Sequence, residues 1–201
     1  TSDLNGIQTN GQIQNFGQEY ENDLTWKNTK PYTQLGINYK SENFTINAYV
    51  PFNFNYFSGV DATRGINRTL SKFTIEPSFF TNLDFANFWK WRTFGNISNR
   101  FGNISGLYGG YILFNSFSLN KRDTPIQETA SYFGGTRIEY RNPLNNLFFN
   151  TLYNFNLNKT NLLINQTILS SGQSEFFALQ YDNQSKMNMA GVEIGKYFPK
   201  A

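Results

Sequence analysis

The feature that most limits what this chain can fold into is a period of two. Apolar and polar residues alternate along nearly its whole length, and helical spacing is almost absent. Successive side chains of a strand point to opposite faces, so this period specifies half-buried β-strands. From Ser71 to Phe79 one face carries Phe73, Ile75, Pro77 and Phe79, and the other carries Lys72, Thr74, Glu76 and Ser78. Phe44, Ile46, Ala48, Val50 and Phe52 stand against Thr45, Asn47 and Tyr49; Leu35, Ile37 and Tyr39 stand against Gln34, Gly36 and Asn38. Trp89 and Trp91 interleave with Lys90 and Arg92, and Tyr111, Leu113, Phe117 and Leu119 share a face. Tyr132, Thr136, Ile138 and Tyr140 oppose Arg137 and Glu139; Phe149, Thr151, Tyr153 and Phe155 alternate with Asn150, Asn154 and Asn156; Ala190, Val192 and Ile194 alternate with Gly191, Glu193 and Gly195. The expectation is an all-β, antiparallel, up-and-down array of about eight strands forming a single unit over residues 1–201.

Connections give partial order to the array. Short turns are expected at Ser41-Glu42-Asn43, near Asn82 to Asn87 and at Asn142-Pro143-Leu144-Asn145-Asn146. Long loops are expected over Phe57 to Leu70 and over 158–185, the second carrying a hairpin about Ser170-Ser171-Gly172. Residues 1–28 read equally as loop or strand. Two intermediate connections, Asn99 to Leu107 and Asn120 to Ala130, break the alternation of short and long, so either a strand is miscounted there or a loop folds inward. Pro51 and Pro77 fall within strand patterns, where a missing N–H weakens pairing. Gly109, Gly110, Gly134 and Gly135 mark bends or close strand approach.

The chain of 201 residues has no His and no Cys. That removes Ser-His-Asp and Cys chemistry, zinc fingers and the usual haem ligands. The nearest acid–base candidates, Glu19, Glu21 and Asp23, and Asp123 with Glu128, fall in expected loops and lack the Gly-punctuated spacing of a calcium loop. Lys121-Arg122-Asp123 reads as loop surface. No enzyme activity and no cofactor or metal are expected. A net charge of +3 with no cluster of basic residues gives no reason to expect nucleic acid. Seven Asn-x-Ser/Thr triplets lie close to the number chance supplies in a chain so rich in Asn, Ser and Thr. No apolar run reaches the ~18 residues of a membrane-spanning helix.

Charged residues make up 15% of the chain and aromatics 18%, where an average soluble domain carries roughly 25% charge. A water-exposed sandwich would set many Lys, Glu and Arg on its outer faces. Here the polar faces hold Asn, Gln, Ser, Thr and Gly, which suit the wet interior of a barrel, and the opposite faces suit lipid. Only a closed barrel satisfies every strand N–H and C=O within hydrocarbon. The candidate lumen-facing polar residues are Lys90, Arg92, Arg137, Glu139, Asn150 and Asn154. The candidate interface aromatics are Tyr39, Phe52, Trp89, Trp91, Tyr140 and Tyr197. Ile75→Arg, on the lipid face, is expected to cost about 2–4 kcal/mol and Thr74→Arg to be tolerated.

Several segments together carry a family resemblance. Leu83-Asp84-Phe85-Ala86-Asn87-Phe88-Trp89-Lys90-Trp91-Arg92-Thr93 runs toward Asn99-Arg100-Phe101-Gly102-Asn103-Ile104; Gly110-Tyr111-Ile112-Leu113, Tyr140-Arg141-Asn142-Pro143-Leu144 before Leu147-Phe148-Phe149, and Gly195-Lys196-Tyr197-Phe198-Pro199 follow. From Tyr32 onward this resembles the barrel portion of TonB-dependent outer-membrane receptors of the Bacteroidota type. The resemblance implies a Gram-negative outer membrane, a lipid bilayer around the strands, a plug and further strands of the parent barrel, the TonB system and a surface lipoprotein as partners, and transport of a small-molecule, glycan or peptide nutrient. The chain departs from that pattern in having room for only about eight strands, no recognisable plug and no terminal aromatic at Phe198-Pro199-Lys200-Ala201, so a segment of a larger barrel is expected. The alternatives are a small stand-alone outer-membrane barrel used for anchoring or adhesion, and a secreted aromatic-rich β-sandwich that stacks sugars.

Overall fold

The structure, a computed structural model, describes residues 5–7, 12–15, 17, 20–102, 106–115, 118–122, 124–170 and 174–198. The fold is all-β: β1 (Asn5–Ile7), β2 (Ile13–Asn15), β3 (Leu24–Thr29), β4 (Tyr32–Lys40), β5 (Phe44–Asp61), β6 (Ile66–Ile75), β7 (Ser78–Phe85), β8 (Trp89–Phe101), β9 (Tyr111–Asn115), β10 (Ser118–Arg122), β11 (Glu128–Asn142), β12 (Leu147–Ile168) and β13 (Ser174–Lys196). β1 and β2 form a small antiparallel pair of their own. The remainder is one up-and-down sheet that is not closed.

Two prolines explain why there are more elements than ribbons. β3 and β4 both pair with β5 in one unshifted register, from Leu24↔Asp61 to Lys40↔Thr45, and Pro31 separates them. Lacking an N–H, Pro31 gives only half of its pair, accepting a bond from Phe54 N at 3.0 Å. β6 and β7 likewise continue one register along β5, divided at Glu76-Pro77, where Pro77 accepts from Ile97 N at 2.9 Å. Pro51 stays within β5 and accepts from Glu76 N at 3.0 Å. The sheet is therefore a meander of seven long ribbons: β3/β4, β5, β6/β7, β8, β11, β12 and β13.

The three expected short turns all lie at one rim. Ser41 N donates to Phe44 O at 2.7 Å while Phe44 N donates to Ser41 Oγ at 3.2 Å. Ala86 and Asn87 turn β7 into β8 with positive φ of 48° and 59°. Asn142 Oδ1 and Asn145 Oδ1 accept from Leu144 N and Leu147 N around the turn into β12. The long loops expected over 57–70 and 158–185 are instead strand. β5 and β6 run on to a tight turn where Asp61 Oδ1 accepts from Thr63 N and Arg64 N. β12 and β13 pair as far as Ile168↔Ser174, past a bulge near Asn161. Polar side chains in the outer reaches of these ribbons resemble loop in composition, yet cross-strand pairing carries the alternation through them. The hairpin expected about Ser170 is present, with Ser171 and Gly172 outside the described residues.

The broken parity between Asn99 and Ala130 has a simple origin. The stretch sharing Tyr111 to Leu119 is not one strand but the hairpin β9–β10, with Phe117 outside the described residues. Together with 106–110 and 124–127 it forms one connection between β8 and β11, and it folds back as a cap. Both explanations of the parity break hold at once. Leu107 and Tyr111 of the cap are buried, as are Phe57 of β5 and Leu162 of β12. Rings extend this cluster: Phe57 lies 5.3 Å from Phe101 and 5.6 Å from Trp26, and Tyr20 lies 5.5 Å from Tyr111. An added Cβ on Gly59 would meet Leu107 at 2.9 Å, so the cap sits close because β5 presents no side chain there.

A positive φ at Ala86 strains an L-residue by about 1–2 kcal/mol, and primed turns prefer Gly or Asn there. Ala86→Gly should raise unfolding free energy by about 1 kcal/mol and Ala86→Val should lower it by at least as much, read by urea titration of the folded chain. Equal midpoints for the two variants would contradict this turn geometry.

Candidate functional site

Register fixes two faces for the whole sheet, because paired residues share a side. On the apolar face, Leu35 pairs with Val50, Ile37 with Ala48 and Ala48 with Phe79; Phe52 pairs with Ile75, Trp91 with Leu83 and Ile138, and Ile138 with Thr151 opposite Val192. On the polar face, Arg92 pairs with Asn82 and Arg137, Glu139 with Lys90 and Asn150, and Asn150 with Glu193.

The six polar candidates thus come together on β8, β11 and β12. Glu139 Oε1 is the hub: Arg137 Nε lies at 2.7 Å and Arg92 Nη1 at 3.0 Å. Arg137 Nε also donates to Asn150 Oδ1 at 2.9 Å, and Arg92 Nε to Asn82 Oδ1 at 3.3 Å. Lys90 faces Asp84 at 3.3 Å in a pair open to solvent. Asn154 lies opposite Gly135, with its Oδ1 buried and without a hydrogen-bond partner. A side chain on Gly135 would run into Asn154 and the Phe94 ring, which cover it. This is close strand approach, as expected for that glycine.

Sequence reasoning missed a second polar group nearer the cap. Lys30 pairs with Glu76 at 3.4 Å, Glu76 Oε1 accepts from Asn99 N, and Lys72 pairs with Glu128. Thr74, expected to tolerate Arg, is instead buried on this face, accepting from Asn55 Nδ2 at 3.0 Å and bonding Glu76. Alternation assigned its side correctly; only three-dimensional packing shows how crowded that side is. A polar recess of about 490 Å³ lies between Lys72, Glu128, Lys159 and Asp182, and one of about 400 Å³ lies at the short-turn rim beside Glu139, Asn150, Glu193 and Tyr197.

The aromatic candidates divide by position. Tyr39, Trp89 and Tyr140 lie toward the short-turn rim of the apolar face, Trp89 being 4.9 Å from Tyr140, 6.1 Å from Phe85 and 6.4 Å from Phe149. Trp91 stands one row in and donates from Nε1 to Thr136 Oγ1 at 2.7 Å. Phe52 lies toward the cap, stacked on Phe73 at 6.3 Å. Tyr197 differs, standing exposed beyond β13 beside the rim recess. Polar groups on the apolar face bond one another across strands, as in Thr81 with Thr93 and Tyr153 with Asn188. Glu19 and Asp123 lie outside the described residues, as do the side chains of Lys121 and Arg122.

Removing a shared acid leaves two guanidinium groups facing one another, whereas an exposed single pair contributes little. Glu139 is 18% exposed, against 38% and 44% for Lys90 and Asp84. Glu139→Gln should cost roughly 1–2 kcal/mol and Lys90→Met under about 0.5 kcal/mol in equilibrium unfolding. The reverse ranking would show that Glu139 is not the hub of the network.

Compared with protein-family models, with curated proteins and with solved structures, the chain matches none.

Proposed function

We propose that this chain is part of an outer-membrane β-barrel of the TonB-dependent receptor type, taking up a nutrient across the outer membrane of a Gram-negative cell. The observation that carries the reading is the apolar face. Among the described residues only Phe57, Leu107, Tyr111 and Leu162 are buried apolar side chains, while Leu35, Ile37, Tyr39, Phe73, Phe79, Trp91, Val192 and Ile194 are exposed. A soluble chain of this length would bury a far larger core, and among the described residues no second layer covers these side chains.

The apolar band has the dimensions of a bilayer. On β11 it runs from Ala130 to Tyr140, ten steps of about 3.4 Å, or about 24 Å of depth at a ~45° tilt. Charges on that face stand at its margins, at Lys27, Lys159, Lys186 and Lys196. Lys159 and Lys186 lie over the Tyr132 and Phe155 rings at 5.6 Å. Such pairing lets long cationic stems run along apolar surface while their heads reach the interface. The short-turn rim is the periplasmic side by the usual asymmetry of such barrels, and the capped rim faces outward. The polar face lines the passage, with Arg92, Arg137, Glu139 and Asn150 along it.

Within this band Ile37 sits mid-depth, 67% exposed, and Gln34 lies on the polar face of the same strand. Ile75 pairs with Phe52 nearer one margin, and Thr74 is packed, so Ile37 and Gln34 make the cleaner comparison. Ile37→Arg should cost about 2–4 kcal/mol in bilayer folding and Gln34→Arg under about 0.5 kcal/mol. A folded monomer of the unmodified chain in plain buffer, or equal costs for the two variants, would overturn the membrane reading.

A further inference from the structure

Beneath the cap, the polar face holds a cavity of about 520 Å³. Trp26 of β3, Phe101 at the end of β8, Leu107 of the cap and Ile164 of β12 give it apolar walls. Its volume lies in the range of small-molecule sites. Most polar groups around it are already engaged. Thr124 Oγ1 donates to Gly106 O at 2.9 Å, Gln127 Nε2 donates to Thr160 Oγ1 at 3.2 Å, and the Arg68 guanidinium is bound to Thr124 O.

Arg100 is the exception. Arg92 and Arg137 share Glu139, and Arg64 lies beside Asp61, but Arg100 has no ion pair among the described residues. Among the described residues no carboxylate lines its cavity. Glu128, the nearest acid along the adjoining strand, is held by Lys72 in the neighbouring recess. An exposed arginine in the lining of a cavity that also presents two aromatic rings selects for an anion with a planar apolar body: the fork binds a carboxylate bidentately and the rings take the body.

We propose that the cavity under the cap binds a small organic acid, its carboxylate on Arg100 and its flat apolar body against the cavity walls that Trp26 and Phe101 supply. The inference stands on the cavity itself and not on the membrane reading. Trp26 is one of three tryptophans, the others being Trp89 and Trp91 on the opposite face, so the site carries its own reporter. The probe is 2-naphthoate, titrated into the folded full chain with micelle-only blanks, by calorimetry on the unmodified chain and by Trp26 emission in a Trp89→Phe/Trp91→Phe variant.

Saturable binding is expected, weakened at least about tenfold by Arg100→Ala and less by Arg100→Lys. Neutral 2-naphthamide should bind the unmodified chain about tenfold more weakly than 2-naphthoate, a comparison that needs no variant to fold. The absence of saturation to about 1 mM, equal binding of acid and amide, or an Arg100→Ala variant that titrates like the parent would each overturn the proposal. Any of these failures leaves the bilayer-folding comparison of Ile37 and Gln34 untouched.

Discussion

Unshifted backbone pairing is the constraint on which everything else in this molecule depends. β5 is bonded to four segments, β3 and β4 along one edge and β6 and β7 along the other, and neither Pro31 nor Pro77 displaces the register. A slip of one residue would carry Ile37, Ala48 and Phe79 to the side of Arg92 and Glu139. Side-chain packing alone could not prevent such a slip, since the buried apolar cluster sits at one end of the sheet. Backbone hydrogen bonds, held in phase by tight turns at the short-turn rim, keep charge to the margins of one face and gather the ion pairs on the other.

That division also explains where specific geometry can exist. On the apolar face, polar atoms are satisfied locally across strands, so little remains to recognise a ligand. On the polar face, Arg and Lys side chains meet carboxylates from neighbouring ribbons, and the cap adds a third dimension by laying Leu107 against Gly59 of β5 and Gly109 against Ile66 of β6. Arg100 differs from Arg92 because β8 carries it past the last shared acid to the exposed wall of the cavity beside the cap. The same strand thus supplies a neutralised guanidinium at one depth and an available one at another.

Alternation made the faces legible before any coordinates: Lys90, Arg92, Arg137, Glu139, Asn150 and Asn154 share a side, and Tyr39, Phe52, Trp89, Trp91 and Tyr140 share the other. A period of two is a property of the backbone, so it survives whatever the strands pack against. The cap was not legible in the same way. Tyr111, Leu113, Phe117 and Leu119 satisfy the same period whether they form one strand or two arms of a hairpin, and only the broken parity of the connections hinted at the fold-back. Arg100, Trp26 and Ile164 lie far apart in sequence, and it is the cap that makes them neighbours.

The edges of the sheet follow from strand count. β4 and β13 run in the same direction, because seven ribbons of a meander begin and end alike, so joining them directly would make a parallel seam. The cap partly bridges the gap at one rim: Asn22 donates from Nδ2 to Tyr111 O at 3.4 Å and accepts from Gly110 N at 2.9 Å, and β10 lies beside β13. A hairpin adds two strands and leaves the count odd. The mismatch surfaces at β10 and β13, the one parallel pairing among the described residues, limited to Asn120↔Ser174 through Arg122↔Phe176. Farther from the cap, two copies pointing the same way could meet edge to edge only in parallel. In the proposed membrane setting, antiparallel completion would take an odd number of additional strands between β4 and β13, since hydrocarbon leaves no water to satisfy the edge N–H and C=O groups.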